Sequence, residues 1–361
     1  MRKLIFFFIF ILSCMITNAQ IVIQGKVVDG TTDMPITGAS VYLNHTTFGS
    51  SSNSKGEFII EATGIYSGEL VVSALGYECL LYKLQVTSTA NKLYKFKLVT
   101  KEKNAKNILI LDDDVKKDWL TNFKRALLGI TEEADNCTIE NLASVYFVKG
   151  EGKNIIYAYA DTPLIIVNKL IGYKIEYNLI EFSDDKNKGS YFLGYSRYRD
   201  VGDKTKWIKR RQQNYYGSTM HFYRSLISKD LNEQGFSIFE IKKTKAVNFA
   251  EDFSLSSADV KLIEPVQLLF IDSISNEYYL QFNNTIVVQY NKTPPAAHYL
   301  FTKIFVQGIN NKGFTAYINL VADKVGIDIN GAIDEPSSIV FNGFWIYEKM
   351  ANQLPYNYQP N

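Results

Sequence analysis

The residues best placed to do chemistry lie between 204 and 226, where Trp207, Lys209, Arg210 and Arg211 run into Tyr215, Gly217, Ser218, His221, Phe222 and Arg224. Serine favours the N-cap position, so Ser218 predicts a helix that runs through about Leu231 and is ended by Gly235. On that helix Ser218, His221 and Ser225 fall near one face, while Phe222 and Leu226, four apart, turn toward a core. One reading makes Tyr215, Ser218, His221 and Arg224 the lining of a pocket for a polar ligand, with His221 as donor or base. A hydrolase built on Ser218 and His221 is the catalytic version of the same idea. The plainer reading makes His221 a satisfied residue at the core boundary and pairs Arg224 with a carboxylate such as Asp230 or Glu233. No carboxylate at a fixed spacing completes a catalytic arrangement, so the expectation is a protein without catalytic residues, not an enzyme.

Metal chemistry is no better supplied. The three histidines are His45, His221 and His298, and none is followed by Glu at a ligand spacing. The run Asp112 to Asp114 is explained by the dipole of a helix that starts there, since carboxylates favour a helix N-terminus. No metal and no cofactor are expected. Cys79 and Cys137 fall in different predicted domains, and two separate thiols are expected rather than a bridge.

The elements that must position these groups belong to a chain of 361 residues, a length that suits two domains, and 46% hydrophobic with 21% charged residues is a globular composition. Residues 1–19 read as a secretory signal peptide: Arg2 and Lys3, an apolar run from Leu4 to Leu12, and Thr17-Asn18-Ala19 before Gln20. Cys14, after Ile11-Leu12-Ser13, offers a lipoprotein processing site as the alternative. The signal's apolar run is too short to span a bilayer, and no later stretch is long enough, so the mature chain is not expected to cross a membrane by a helix. Removing residues 1–19 takes two basic residues and no acid, which leaves the mature chain formally neutral against its 37 acids. Without an excess of Lys and Arg there is no general drive toward nucleic acid or anionic lipid.

From Ile21 onward apolar residues alternate: Ile21, Ile23, Val27; Ala39, Val41, Leu43; Phe58, Ile60; Leu70, Val72, Ala74; Leu84, Val86; Tyr94, Phe96, Leu98. Period two predicts half-buried strands, and Asp29-Gly30, Asn53-Ser54-Lys55-Gly56 and Ser67-Gly68 predict the turns between them. About seven short strands make a Greek-key β-sandwich over residues 20–99. Gly25-Lys26-Val27-Val28-Asp29, Pro35-Ile36-Thr37-Gly38-Ala39-Ser40-Val41, Gly49, Gly56-Glu57-Phe58 and Gly76-Tyr77 resemble the carboxypeptidase regulatory-like domain. The resemblance implies a prealbumin-like sandwich, found at the start of exported envelope proteins including TonB-dependent receptors. Asn53 stands where that family's turn usually carries Asp, and it serves the turn equally. The domain is an accessory to some metallocarboxypeptidases and not their catalytic part, so the resemblance implies no peptidase. The chain beyond Leu98 is too short for a receptor barrel of about twenty strands.

Polar residues 100–107 read as a linker and 108–361 as an α+β domain. Trp119, Leu120, Phe123, Ala126 and Leu127 predict one face of a helix that Gly129 ends and that covers a sheet. Strands are expected over 144–148, 155–160, 164–167, 173–182 and 191–198, the last two pairing across 183–190, and again over 266–271, 277–289, 298–306 and 315–321. Residues 343–351 read as helical, with Trp345 anchoring the tail. Trp119, Gly129 and Cys137, Tyr215-Tyr216-Gly217-Ser218 with His221-Phe222, and Trp345 with Leu354-Pro355-Tyr356 resemble the uncharacterised carboxy-terminal region of exported carboxypeptidase regulatory-like proteins.

The fold class expected is thus mainly β, a seven-stranded sandwich followed by an α+β domain with an antiparallel sheet and a few helices. The function expected is an exported, non-catalytic envelope protein, in the periplasm or at the outer membrane, that binds a protein partner or a surface polymer. The alternative is carbohydrate binding, since 24 Tyr and 23 Phe supply rings to stack on sugars.

Overall fold

The computed structural model describes residues 20–63, 67–85, 92–101, 112–150, 155–185, 189–241, 260–273, 277–292 and 314–360. The chain divides into two compact units, one of residues 1–44 and 48–103, the other of 45–47 and 104–361.

The first unit is built from β1 (Gln20–Asp29), β2 (Ser40–Leu43), β3 (Gly49–Ser51), β4 (Glu57–Thr63), β5 (Ser67–Ser73), β6 (Leu80–Gln85) and β7 (Leu93–Leu98). They form two sheets, in the orders β4-β1-β7 and β3-β2-β5-β6, with β1 antiparallel to β4 and parallel to β7. The alternation in β4 and β7 is complete, every second side chain being buried. Ile23, Val41, Phe58, Leu70, Val72 and Phe96 fill the space between the sheets. Gly25 is required where β1 meets β7, because a side chain there would run into the Tyr94 carbonyl. The Asn53 turn forms as read, its Oδ1 accepting from the amides of Lys55 and Glu57 at 2.9 Å each. Asp29 Oδ1 accepts from the Thr31 and Thr32 amides, and the Tyr77 hydroxyl donates to Asp29 Oδ2 at 2.9 Å. Val86 lies outside the described residues.

The second unit opens with α1 (Asp113–Leu128) and α2 (Glu132–Asp135), then β8 (Cys137–Ile139), β9 (Val145–Lys149), β10 (Ile155–Ala160), β11 (Leu164–Asn168), β12 (Tyr173–Asp185) and β13 (Gly189–Asp200). β13 runs along the whole of β12, while β11 and β10 pair with its two ends, and β8 and β9 extend the sheet outward. α1 covers this sheet, as its apolar face requires, with the Phe123 ring 4.8 Å from Phe182 and the Trp119 ring 5.4 Å from Phe147. Asp112 takes the N-cap position of α1 without a side-chain capping bond, and Gly129 closes it at φ 93°.

Next come α3 (Ile208–Tyr215), α4 (Thr219–Ser228), α5 (Leu231–Gln234), β14 (Phe236–Ile241), β15 (Val260–Leu262), β16 (Leu269–Ile271), β17 (Tyr278–Leu280), β18 (Thr285–Tyr290), β19 (Phe314–Leu320), β20 (Val325–Ile327) and β21 (Ile339–Gly343). They give a sheet β15-β14-β18-β19-β21 and a small sheet β16-β17-β20, all antiparallel. α4 contributes Met220 to the core of the first sheet and Phe222, Tyr223 and Leu226 to that of the second.

In several places the structure departs from the sequence pattern. The helix after Ser218 stops at Ser228, where Lys229 turns left-handed at φ 62°, and a separate short helix precedes Gly235. Residues 343–351 are not one helix but the end of β21 followed by a single 3-10 turn, Phe344–Tyr347. Only the last part of 266–271 is strand, after a 3-10 turn at Pro265–Gln267, and 277–289 is two strands. Residues 298–306 lie outside the described residues.

Candidate functional site

Tyr215, Ser218, His221 and Arg224 are brought together along α4 and the turn before it, Tyr215 by ring contacts with His221 and Arg224 and the other three by hydrogen bonds. Tyr215 ends α3, and the chain turns at Gly217 with φ 85°, where the Tyr290 ring occupies the place of a side chain. Ser218 Oγ accepts from the His221 amide at 3.1 Å, the capping bond that its position predicts. The His221 ring is only 2% exposed and packs among Tyr215, Tyr216 and Phe236 at 4.9, 5.3 and 4.9 Å. Its Nδ1 accepts from the Gly217 amide at 3.1 Å, which assigns the proton to Nε2, and that nitrogen lies 3.2 Å from Gln234 Oε1. Gln234 Nε2 then donates to Asp230 Oδ2 at 2.8 Å. Burial pushes the imidazole pKa down to about 4, so the ring is neutral with both nitrogens committed. The Ser218 hydroxyl faces a backbone amide and not this ring, so the two do not form the nucleophile and base of a hydrolase as they stand.

Arg224 is held by carbonyls and not by Asp230 or Glu233, which corrects the expected ion pair. Its fork donates to three of them, those of Asn330 (3.0 Å), Tyr356 (2.9 Å) and Tyr358 (2.8 Å), and so ties α4 to the carboxy-terminal tail. The tail adds two further ties at the same place. Trp345 Nε1 donates to the Gly217 carbonyl at 2.9 Å, and Thr219 gives its amide and hydroxyl to the partly buried Glu348 carboxylate. Burial pushes the Glu348 pKa up to about 8, against the lowering effect of the Thr219 bonds. A second polar knot joins α2, α3 and the tail: Glu133 Oε1 lies 2.8 Å from Arg210 and accepts from Asn214, and Asn352 donates to Glu133 Oε2. Among the described residues no group of three His, Cys, Asp or Glu stands close enough together to hold a metal ion. Cys79 and Cys137 are both unbridged.

A surface of a different kind lies in the first unit. β6 ends one sheet and β7 ends the other on the same side of the sandwich, and between them opens a slot of about 480 Å³ lined by Leu80–Tyr82 and Lys92–Lys97. Tyr82 stands edge-on to Tyr94 and Phe96 at 5.6 Å from each, and those two rings stack at 5.7 Å. Lys92 Nζ sits 5.0 Å above Tyr94 and 5.9 Å above Tyr82. Lys95 and Lys97 point to the outer face and share the Asp33 carboxylate at 2.5 and 3.1 Å, and these lysines hold the Asp33 pKa below the usual carboxylate range. Beside them Leu93 is 75% exposed.

Sandwich, Gly25 crossing, Asn53 turn and Tyr77–Asp29 bond all fall in one stretch of the sequence, and that stretch has a family. Residues 23–110 match the CarboxypepD_reg-like domain family. The slot therefore lies within the CarboxypepD_reg-like domain. Sequence reasoning does not single it out, although Lys92-Leu93-Tyr94-Lys95-Phe96-Lys97 carries the signal: rings at every second position and lysines between them. What no alternation reveals is that the strand lies at a sheet edge.

No curated protein matches the chain. Among solved structures it aligns with a candidate membrane-associated protein of unknown function from Bacteroides fragilis, at 15% identity over 44% of this chain and 65% of that one, with a TM-score of 0.18. It also aligns with a candidate carbohydrate-binding protein from Bacteroides uniformis, at 10% identity over 85% and 98% of the two chains, TM-score 0.19. A 9R-lipoxygenase from Cyanothece aligns at 10% identity over 58% and 49%, TM-score 0.17. The chain thus spans just under two-thirds of the first of these, and at such TM-scores none carries an argument about fold or function. Among the described residues no helix is long and apolar enough to cross a membrane.

Proposed function

We propose that this is a non-catalytic binding protein of the cell envelope, exported to the periplasm or the outer membrane, which engages a protein partner through the β6/β7 slot of its CarboxypepD_reg-like domain. The observation that carries the reading is the slot itself, an aromatic cleft with lysines at its rim on the open side of the sandwich. The commitment of Ser218, His221 and Arg224 to backbone and amide partners supports the non-catalytic half. A photo-reactive side chain at Leu93 of the full chain, in cells that make the protein, is expected to crosslink one defined protein. The same group at Val266, which is 74% exposed in the second unit, is expected not to capture it. Capture from Val266 and not from Leu93 overturns the reading. So does turnover of any ester, amide or glycoside that Ser218→Gly abolishes, since glycine retains most of the N-cap's stability.

A second reading, carbohydrate binding, is favoured by Tyr146 and Tyr159. These cross-strand neighbours on β9 and β10 stack at 5.7 Å with planes 23° apart, and Tyr159 is 41% exposed. A glycan array on which Tyr159→Ala changes nothing disposes of it.

A further inference from the structure

We propose that the free edge of β7 receives, as an added strand, an extended segment of a partner protein in which acidic and apolar residues alternate. This rests on the binding reading above and names the chemistry of the partner.

Backbone direction locates the edge. In a strand the N–H and C=O of one residue point to the same side, and successive residues alternate sides. The Tyr94 carbonyl lies against Gly25 of β1, and the Leu98 carbonyl accepts from the Gly30 amide, so even-numbered residues of β7 face β1. The Val99 carbonyl accepts from the Glu78 amide on the opposite side. Leu93, Lys95 and Lys97 therefore turn their amides and carbonyls outward, and among the described residues no strand pairs with that side of β7. The edge closes at Val99, where residues 76–78 cross it. Five residues of template remain, about 17 Å, enough for a five-residue strand.

Side chains set the partner's pattern. An added strand presents alternate residues to the two faces of the sheet. On the inner face its neighbours are Tyr94, Phe96 and, across the slot, Tyr82, which ask for apolar residues. On the outer face Lys95 and Lys97 ask for acids, and Asp33 already shows a carboxylate bridging that pair. One acid against two lysines, with Lys92 at the mouth, leaves the rim net positive. A second copy of β7 is a poor occupant, because antiparallel self-pairing sets lysine against lysine.

The test uses the full chain and fluorescein-labelled peptides of about nine residues: alternating Glu and Val, alternating Lys and Val, and Glu alone. The Glu-Val peptide is expected to raise fluorescence anisotropy and to slow hydrogen–deuterium exchange across Leu93–Lys97, and the Lys-Val peptide to do neither. Lys95→Glu with Lys97→Glu is expected to weaken binding about tenfold or more. Leu93→Pro removes one outward amide without changing charge, and is expected to weaken it comparably while circular dichroism stays that of the wild type. Equal binding of the Glu-only peptide, or binding that leaves β7 exchange unchanged, overturns strand addition. A partner crosslinked from position 93 whose capture survives Lys95→Pro leaves the binding reading standing and removes this one. Protection of β7 by the Glu-Val peptide without any crosslinked protein supports the edge chemistry and removes the envelope partner.

Discussion

His221 is neutral at every pH where the protein is expected to work, and its burial makes stability depend on pH in a definite direction. Unfolded, the imidazole titrates near 6.5; folded, near 4. Above pH 6.5 both states are neutral and the contribution is complete. As the pH falls from 6.5 toward 4 the unfolded chain takes up a proton that the folded chain refuses, a loss of about 3 kcal/mol. Urea unfolding at pH 7 and 4.5 is expected to show that loss in the wild type and not in His221→Gln; an equal loss in both places it elsewhere. Glu348 works in the opposite direction. Its folded pKa is raised from 4.5 to about 8, so its contribution is complete below 4.5 and disappears as the pH rises through 8. Glu348→Gln keeps an oxygen for Thr219 and is expected to be more stable than the wild type by about 2 kcal/mol at pH 9 and similar to it at pH 4. Identical melts of the two proteins at pH 9 would show that the carboxyl is not held in its acid form.

At the scale of elements, α4 is fixed from outside by the tail, and Arg224 is the clasp. Its three bonds to carbonyls of residues 330, 356 and 358 need the planar fork, which a lysine ammonium does not supply. Arg224→Lys is expected to destabilise the second unit by about 2 kcal/mol, and Arg224→Ala by about 3, with faster proteolysis of the tail. Unchanged proteolysis in both variants would show that the tail is held without Arg224, by the bonds of Trp345, Glu348 and Asn352. The start of α4 is legible in the sequence because a serine cap announces itself, and the face of α1 because its apolar spacing does. The end of α4 is not, since Lys229 takes a left-handed φ that no local residue preference demands. α3 escapes notice because Lys209, Arg210 and Arg211 read as surface charge, whereas Arg211 is 5% exposed and donates to the Ile171 and Gly172 carbonyls. Arg224 is legible as a functional-looking cation but not as a clasp, because its partners lie more than a hundred residues downstream. The slot residues alternate openly in sequence, yet their meaning depends on β6 and β7 being sheet ends, which is set by pairing and not by pattern.

For the molecule as a whole, charge separates a local rim from a global field. The chain carries 39 basic and 37 acidic residues, so no long-range potential steers anions to it, and the lysines of the slot act only at short range. The fold class is legible at this scale because strands such as β4, β7 and β11 alternate buried and outward side chains and recur along the chain, while the site is not, because neither composition nor net charge distinguishes three lysines on one edge from the rest. The difference is measurable. Nucleic-acid binders that neutralise 6–10 phosphates lose about 10³–10⁵ in affinity between 50 and 200 mM salt. Three lysines, two already sharing Asp33, give a far shallower dependence, and binding of the Glu-Val peptide is expected to fall by about tenfold or less over that range. Duplex DNA is expected not to be retained at about 150 mM salt. A steep salt dependence for the peptide, or retention of DNA, would mean that basic residues well beyond Lys92, Lys95 and Lys97 converge on one face, and the apolar half of the slot would then no longer be what selects the partner.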